Sequence, residues 1–522
     1  MYDIIIKNGR VIDGTGKPAF NADLAIHKGT IAEIGDLGKA HGEKIIDALG
    51  HCVAPGFIDI TNHSDVTAAM FRSPMLESMV RQGVTTVIGG NCGVSLAPLV
   101  TPDVIHSVRK WTDTSSISVN WLSMAEYLAE VARLKLAINF GTLVGHGTLR
   151  RGVAHEEERP LSLEEIASLK MLLKSALREG AFGLSTNLSA SHEAAATPDE
   201  ITEIVKAMQA EGGVYKTHLR NEGASLISGV NEALQVAHGA KVPVAISHLK
   251  AVGRKSWPLM KRAVAMINRT AKSGERIIYD ITPYSSTGSQ LSALLPPWVR
   301  EGGFSAMLLR LRDKSLRQSI VGDLADLTLH FERTRIAEAD DGISPGKTIA
   351  ELAVRSGLSP EDTMIELLLA NGGRVSIIGK TLHSKNIALG IRGAVSVIAS
   401  NGSGLSGAPD QYALPHPRSF GAFPRFLSRY VTKEKMLSWE EAIMKIASLP
   451  AEFMGIKNRG KILPKYAADI VVFSPETVRD RATYENPYLF PTGIPHVIVN
   501  GVAVVSEGAL TGARPGAVLK KT

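Results

Sequence analysis

The sequence predicts an α/β protein: a closed (β/α)8, TIM-like barrel, a small β-sandwich domain built from both termini, and an insertion before the last barrel strand. Three observations carry this reading. Eight short apolar runs alternate with helical stretches through the middle of the chain. Both ends carry strand-like segments punctuated by Gly and Asn turns. The even spacing of the runs breaks once, where about a hundred residues separate the seventh from the eighth.

Residues 1–55 alternate apolar and polar positions between turns. Asp3–Lys7 and Arg10–Ile12 flank Asn8-Gly9, and Asp23–His27 and Thr30–Ile34 flank Lys28-Gly29. Turns of this type between alternating segments predict hairpins. The pattern returns after residue 458 with Ala468–Phe473, His496–Val499 and Val502–Val505. Neither end buries a face alone, so 1–55 plus 458–522 are expected to form one domain.

Between them, residues 56–457 read as the barrel. Its runs are Phe57–Thr61, Thr85–Gly90, Ala137–Gly145, Ala181–Thr186, Gly213–Arg220, Pro243–Lys250, Arg276–Tyr284 and Ala394–Ser400. Short runs without alternation indicate strands buried on both faces, hence a parallel sheet, and eight of them indicate closure. Ser162–Glu179 and Pro198–Glu211 are amphipathic helix patterns, and Ser438–Leu449 closes the ring. The insertion at 285–393 has helical character at Phe304–Asp323 and Thr348–Asn371 and is expected as a lid.

Bulk properties exclude several classes. A net charge of +7 is spread without a Lys/Arg block, so no nucleic-acid surface is expected. No apolar run reaches the ~18 residues of a membrane span. The opening Met1–Lys7 lacks the parts of a secretory signal, and two cysteines cannot form a disulfide framework, so a reducing cytoplasm is the expected compartment. A homo-oligomer is compatible with the chain, and nothing in it fixes the state.

Chemistry gathers at the ends of the predicted strands. Cys92 sits among glycines after the second run, and His218 and His248 end the fifth and sixth. One Cys or one His in such a place is commonly a packed residue; three at equivalent strand ends point to a metal. A thiolate with imidazoles suits Zn2+ and leaves a fourth position for water. Cys52, beside Pro55-Gly56, reads as a buried small hydrophobe. Lys250 and Arg220 each read as a contact for an anionic substrate or as a partner of Glu222. Tyr284 reads as a pocket or barrel-capping residue. Arg418 suits bidentate carboxylate recognition, with a salt bridge to Asp410 as its alternative. His146 is expected to support the barrel mouth.

Longer words then make the chain resemble the amidohydrolase superfamily, and within it the N-acyl-D-amino-acid deacylase (D-aminoacylase) family. They are Ala54-Pro55-Gly56-Phe57-Ile58-Asp59, Gly90-Asn91-Cys92-Gly93, Gly145-His146-Gly147-Thr148, Thr217-His218-Leu219-Arg220-Asn221-Glu222-Gly223, Ser247-His248-Leu249-Lys250 and His416-Pro417-Arg418. The resemblance implies that Cys92, His218 and His248 hold a tightly bound zinc ion. It implies a His-x-His pair at 61 and 63 for a second, weaker site, an Asp general base at 401, and Arg418 as receiver of the substrate carboxylate. The implied substrate is a small amide bearing a carboxylate, such as an N-acyl D-amino acid.

The chain departs from that pattern. Thr61 replaces the first His while His63 remains, and Asn401 replaces the Asp. The loop 187–191, where the family tends to carry Tyr, reads Asn187-Leu188-Ser189-Ala190-Ser191. One zinc is therefore expected rather than two. Asn401 cannot take a proton. His63 or Asp65 could relay one, or both could be hydrogen-bonded wall residues. Hydrolysis by zinc alone, an altered reaction and a silent relative all stay open.

Overall fold

The structure is a computed structural model that describes residues 1–105, 118–155, 157–408 and 414–521. Within these residues the eight expected barrel strands are present: Phe57–Asp59, Val84–Gly89, Asn139–Thr142 continued by Val144–Gly145, Gly183–Asn187, Val214–His218, Val244–Ile246, Ile277–Ile281 and Ser396–Ile398. All pair in parallel with their neighbours. A parallel bridge between Asn62 and Gly402 joins the first to the last and closes the ring. Buried Asp59 reinforces that seam. Its carboxylate accepts from the Ser400 N–H and hydroxyl and from Asn62 Nδ2.

Strand geometry sorts the ring's side chains with a period of two. Ile58, Ile88, Val214, Ala245, Ile278 and Val397 from six strands, with Leu143 within the third and Phe182 just before the fourth, share a buried cluster with Phe453 and Met454 of the helix Leu449–Met454. The intervening residues, such as Phe57, Val87, Phe140, Tyr215 and Tyr279, pack in the larger cluster with the surrounding helices. The helices start where their caps dictate. Leu163–Arg178 begins at Ser162, whose hydroxyl accepts from the Glu165 N–H while Glu165 reaches back to the Ser162 N–H. The expected helix from Ser438 starts at Trp439, with the same device from Ser438 and Glu441. It continues through a wider π turn, Met444–Ser448, into Leu449–Met454.

The two chain ends meet in one nine-stranded sheet, the core of the β-sandwich domain, in which Ile470–Phe473 pairs with Cys52–Pro55. Here the structure corrects the sequence reading. Tyr2–Val11 is one strand, not two. Asn8, at φ 55°, forms a bulge rather than a hairpin turn, and the register against Phe20–His27 shifts between Ile6 and Gly9. Gly42–Asp47 and Cys52–Pro55 are additional strands, both parallel to Tyr2–Val11.

Between the seventh and eighth barrel strands, three antiparallel strands (Thr287–Gln290, Thr334–Ala339, Val375–Gly379) carry the helices Gly303–Arg312, Arg317–Asp326, Ile349–Ser356 and Pro360–Ala370. Each expected long helix is therefore two. Asp313 and Ser315 form a turn in one gap, and Gly357 at φ 70° ends the helix before the other. This segment has its own apolar core, including Leu291, Met307, Ile336 and Leu368. The next helix, Ser384–Arg392, packs against barrel elements instead. No helix among the described residues is long and apolar enough to cross a membrane.

Asp59 accepts the Ser400 N–H and hydroxyl at the seam, and shares Asn62 Nδ2 with the weaker acceptor Met79 Sδ. Asp59→Ala is expected to lower the unfolding free energy by about 1–3 kcal/mol per stranded buried donor. Urea unfolding followed by circular dichroism measures this; an unchanged midpoint would show that the seam does not depend on the carboxylate.

Candidate metal centre

Cys92, His218 and His248 converge at the strand ends, with one ligand atom of each lying within 4.8 Å of the others. Cys92 Sγ is 3.5 Å from His248 Nε2, and the two imidazoles meet edge to face with centroids 4.4 Å apart. Sharp turns aim these groups. Cys92 has φ 52° and His248 φ 36°, both left-handed. The glycines beside Cys92 are there for backbone reasons. Gly90 turns at φ 67°, and a Cβ on it would lie 2.0 Å from the Leu143 carbonyl. Gly93 turns at φ 74°, and its Cβ would lie 2.0 Å from Glu193 Oε1.

Glu222 organises both histidines. Its Oε2 is 3.3 Å from His218 Nε2 and its Oε1 is 3.2 Å from His248 Nδ1. Such carboxylates fix imidazole orientation at metal sites. Electrostatics follow. Burial opposes the Cys92 thiolate, but the charge of His248 and hydrogen bonds from His218, His248 and His63 overcome it and hold the thiol well below its ordinary pKa. Burial likewise opposes the His218 imidazolium, yet Glu222 and Cys92 raise that histidine to about 9. A thiolate with two imidazoles, turned inward and backed by a carboxylate, fits zinc by donor chemistry.

His63, expected as a further ligand, stands outside this trio. Its Nε2 faces Asn401 Oδ1 at 2.8 Å. Position 61 offers no second imidazole. Thr61 instead donates its hydroxyl to Asp280 Oδ2 at 2.7 Å. Asn401 sits at φ 51°, just past the last strand, beside the cavity. Burial disfavours the His63 imidazolium, but the Cys92 and Asn401 contacts outweigh it and raise its pKa. Asp65 does not line the cavity. It accepts from the Gly90 N–H at 2.7 Å, and burial raises its carboxyl pKa.

A cavity of about 790 Å³ opens over the centre, lined by His63, Cys92, His218, His248, Asn401 and Arg418, and roofed by residues of the inserted segment such as Gln290, Trp298 and Arg300. Arg418 begins the helix Arg418–Arg425, and its N–H donates to His416 Nδ1 at 3.0 Å. Its guanidinium has no carboxylate partner among the described residues, and burial brings its pKa down to about 10. Asp410, the alternative partner, lies outside the described residues. Lys250 lines the cavity, but its Nζ is 2.5 Å from Glu222 Oε1 and 2.8 Å from His248 Nδ1. Tyr284 is buried, donates to the Pro417 carbonyl at 3.3 Å and packs edge-on to His416. Arg220 pairs with Glu232, not Glu222, through bonds of 2.7–3.2 Å. His146 is buried against Glu193 at 2.9 Å, the supporting role expected of it.

Sequence reasoning missed two residues beneath the centre. Lys216 and Asp280 are fully buried, with Nζ 3.3 Å from Oδ2. Asp280 Oδ1 also accepts from the His248 N–H at 2.7 Å. The available signal was Lys216 two positions before His218, and so on the same strand face.

Comparison with known proteins places these features in a group. The family model described as "Amidohydrolase family" matches residues 44–505. The chain is 32% identical to a D-aminoacylase of Alcaligenes xylosoxydans xylosoxydans, over 100% of this chain and 98% of that protein. It superposes with a TM-score of 0.83 and 28% identity on an N-acyl-D-glutamate deacylase from Bordetella bronchiseptica complexed with zinc and a phosphonate inhibitor, covering 99% of both chains. It matches equally, at 0.83 and 30% identity over 100% of both chains, a D-aminoacylase whose binuclear metal centre shows one-metal activation and second-metal attenuation.

Glu222 touches both histidines without belonging to the trio. Glu222→Gln is expected to weaken zinc affinity by about 10- to 100-fold. Competition with a chromogenic chelator measures it; unchanged affinity would remove Glu222 from the centre.

Proposed function

The chain belongs to the amidohydrolase family, in its D-aminoacylase branch of hydrolases acting on non-peptide C–N bonds, and from that premise we propose that it cleaves the amide of an N-acyl D-amino acid or a related small amide bearing a carboxylate, using one zinc ion. The observation that carries this reading is the Cys92–His218–His248 trio facing a cavity that also presents the unpaired-by-carboxylate Arg418. Zinc bound there would lower the pKa of a water to roughly 7 and polarise the substrate carbonyl.

The chain's own residues do the rest. Arg418 holds the substrate carboxylate by two parallel N–H donors, which fixes the amide over the centre. The Glu222 carboxylate holds both imidazoles in place. Hydrolysis adds water across the C–N bond, so one proton must reach the leaving amine. Asn401 has no basic atom for that task. With the amide oxygen facing it, His63 Nε2 carries a proton that it can give to the leaving amine, and it then regains one from the attacking water, beside the position of the missing carboxylate. His63 is the group to hold that proton, at lower efficiency than a carboxylate. The inserted segment supplies part of the cavity wall through Gln290, Trp298 and Arg300. Asn401 is also the observation behind a second reading, an altered or silent amidohydrolase-fold protein.

Two substitutions separate these readings. Asn401→Asp is expected to raise kcat on N-acyl D-amino acids by about 10²- to 10⁴-fold, the usual worth of general-base catalysis. No gain would favour the altered or silent reading. Arg418→Ala is expected to raise KM by about 10- to 100-fold, as fits the loss of a charge-assisted bidentate contact. Steady-state kinetics over a panel of D and L substrates reads both; an unaltered KM would remove Arg418 as the carboxylate receiver.

A further inference from the structure

Beneath Cys92, the Lys216 ammonium lies in a closed cage of oxygen atoms. Its Nζ donates to the Ile60 carbonyl at 2.5 Å, to the Thr61 hydroxyl, and to Asn91 Oδ1 at 3.0 Å, and it lies 3.3 Å from Asp280 Oδ2. The cage comprises a carbonyl, a hydroxyl, an amide and a carboxylate, from the ends of three different strands. This is the donor set of a hard-cation site, here filled by a side chain. Neither Lys216 nor Asp280 has any exposed surface. The cage borders the place where a second ion would be held, since position 61 is the first of the two spaced positions of which His63 is the second.

The residues present do not fit a second ion there. Thr61 supplies a hydroxyl in place of an imidazole, and that hydroxyl is already engaged with both Lys216 and Asp280. An imidazole at 61 would meet the ammonium. Asn401 turns a neutral amide oxygen to His63 in place of a carboxylate. A divalent ion beside a buried ammonium would meet like-charge repulsion in a medium that screens it poorly.

We propose that Lys216 is a tethered cation standing in for the second metal, which confines this chain to a one-metal centre. The proposal rests on the one-zinc reading above and deepens it. It makes Thr61 and Lys216 a matched pair: the small residue leaves room for the lysine chain, and the lysine supplies the positive charge that Asp280 would otherwise lack. Lys216 is thus a positioning residue. Through Asp280, which accepts from the His248 N–H, it holds the backbone that carries a trio member.

The test counts zinc per folded chain after equilibration with excess zinc and removal of free ion. The wild type is expected to hold one. Thr61→His/Asn401→Asp, which supplies both absent ligand types, is still expected to hold one, because the ammonium remains. Adding Lys216→Met to that pair is expected to raise the count to two. Lys216→Gln is counted beside it, since it keeps hydrogen bonding to Thr61 and Asn91 if the methionine variant fails to fold. Two zinc ions in Thr61→His/Asn401→Asp would show that the ammonium excludes nothing. One zinc in every variant would show that no cation position lies there, and either result overturns the Lys216 proposal alone. No zinc in the wild type would overturn the metal-centre reading and this proposal with it.

Discussion

Closure of a parallel ring is the constraint on which this structure depends. Once eight strands close, every second side chain must point into a space that narrows to a few residues across. The fifth strand shows the consequence. Val214, Lys216 and His218 alternate inward, and they are respectively apolar, ionic and a member of the candidate metal trio. The seventh repeats the sequence with Ile278 and then Asp280. An apolar plug thus lies under an ion pair, and the ion pair lies under the candidate metal centre. Each layer sets the conditions for the next: the plug excludes water, so the Lys216–Asp280 pair has only protein partners. Asp280 in turn fixes the backbone of His248.

This layering explains what was legible in the sequence. Strands buried on both faces read as apolar runs whatever surrounds them, so all eight barrel strands could be placed. The convergence of the trio was legible because all three residues sit at strand ends. Lys216 was not legible. A lysine within Val214–His218 looks like an outward residue until the ring is closed and Asp280, 64 residues away, is opposite it. Long-range pairing hid other features. Tyr2–Val11 reads as two strands because the bulge at Asn8 has the residues of a turn. The strands within the insertion are specified by one another, with Val375–Gly379 between two partners. Glu222 was read only as a partner for a neighbouring cation, and its contact with both histidines depends on the loop after His218.

Chemically, one cavity gathers the groups that the proposed reaction would use. Cys92, His218, His248 and Arg418 present a thiolate, two imidazoles and a guanidinium to one cavity. Thr61 and Asn401, both neutral, stand where the resemblance implies a histidine and an aspartate. The two positions are joined directly, the Asn401 N–H donating to the Thr61 carbonyl at 2.9 Å, and Asn401 alone of the two meets His63. On the one-zinc reading, His63 is left with an amide partner and is available to hold a proton. In this account a one-metal centre is a built property of the chain, with the ammonium below and the amide above as its two boundaries.

The most direct measurement is a crystal structure with anomalous data collected at the zinc edge. The account predicts one peak, between Cys92 Sγ and the His218 and His248 imidazoles, and none between His63 and Thr61. A second peak there, or no peak at the trio, would contradict it.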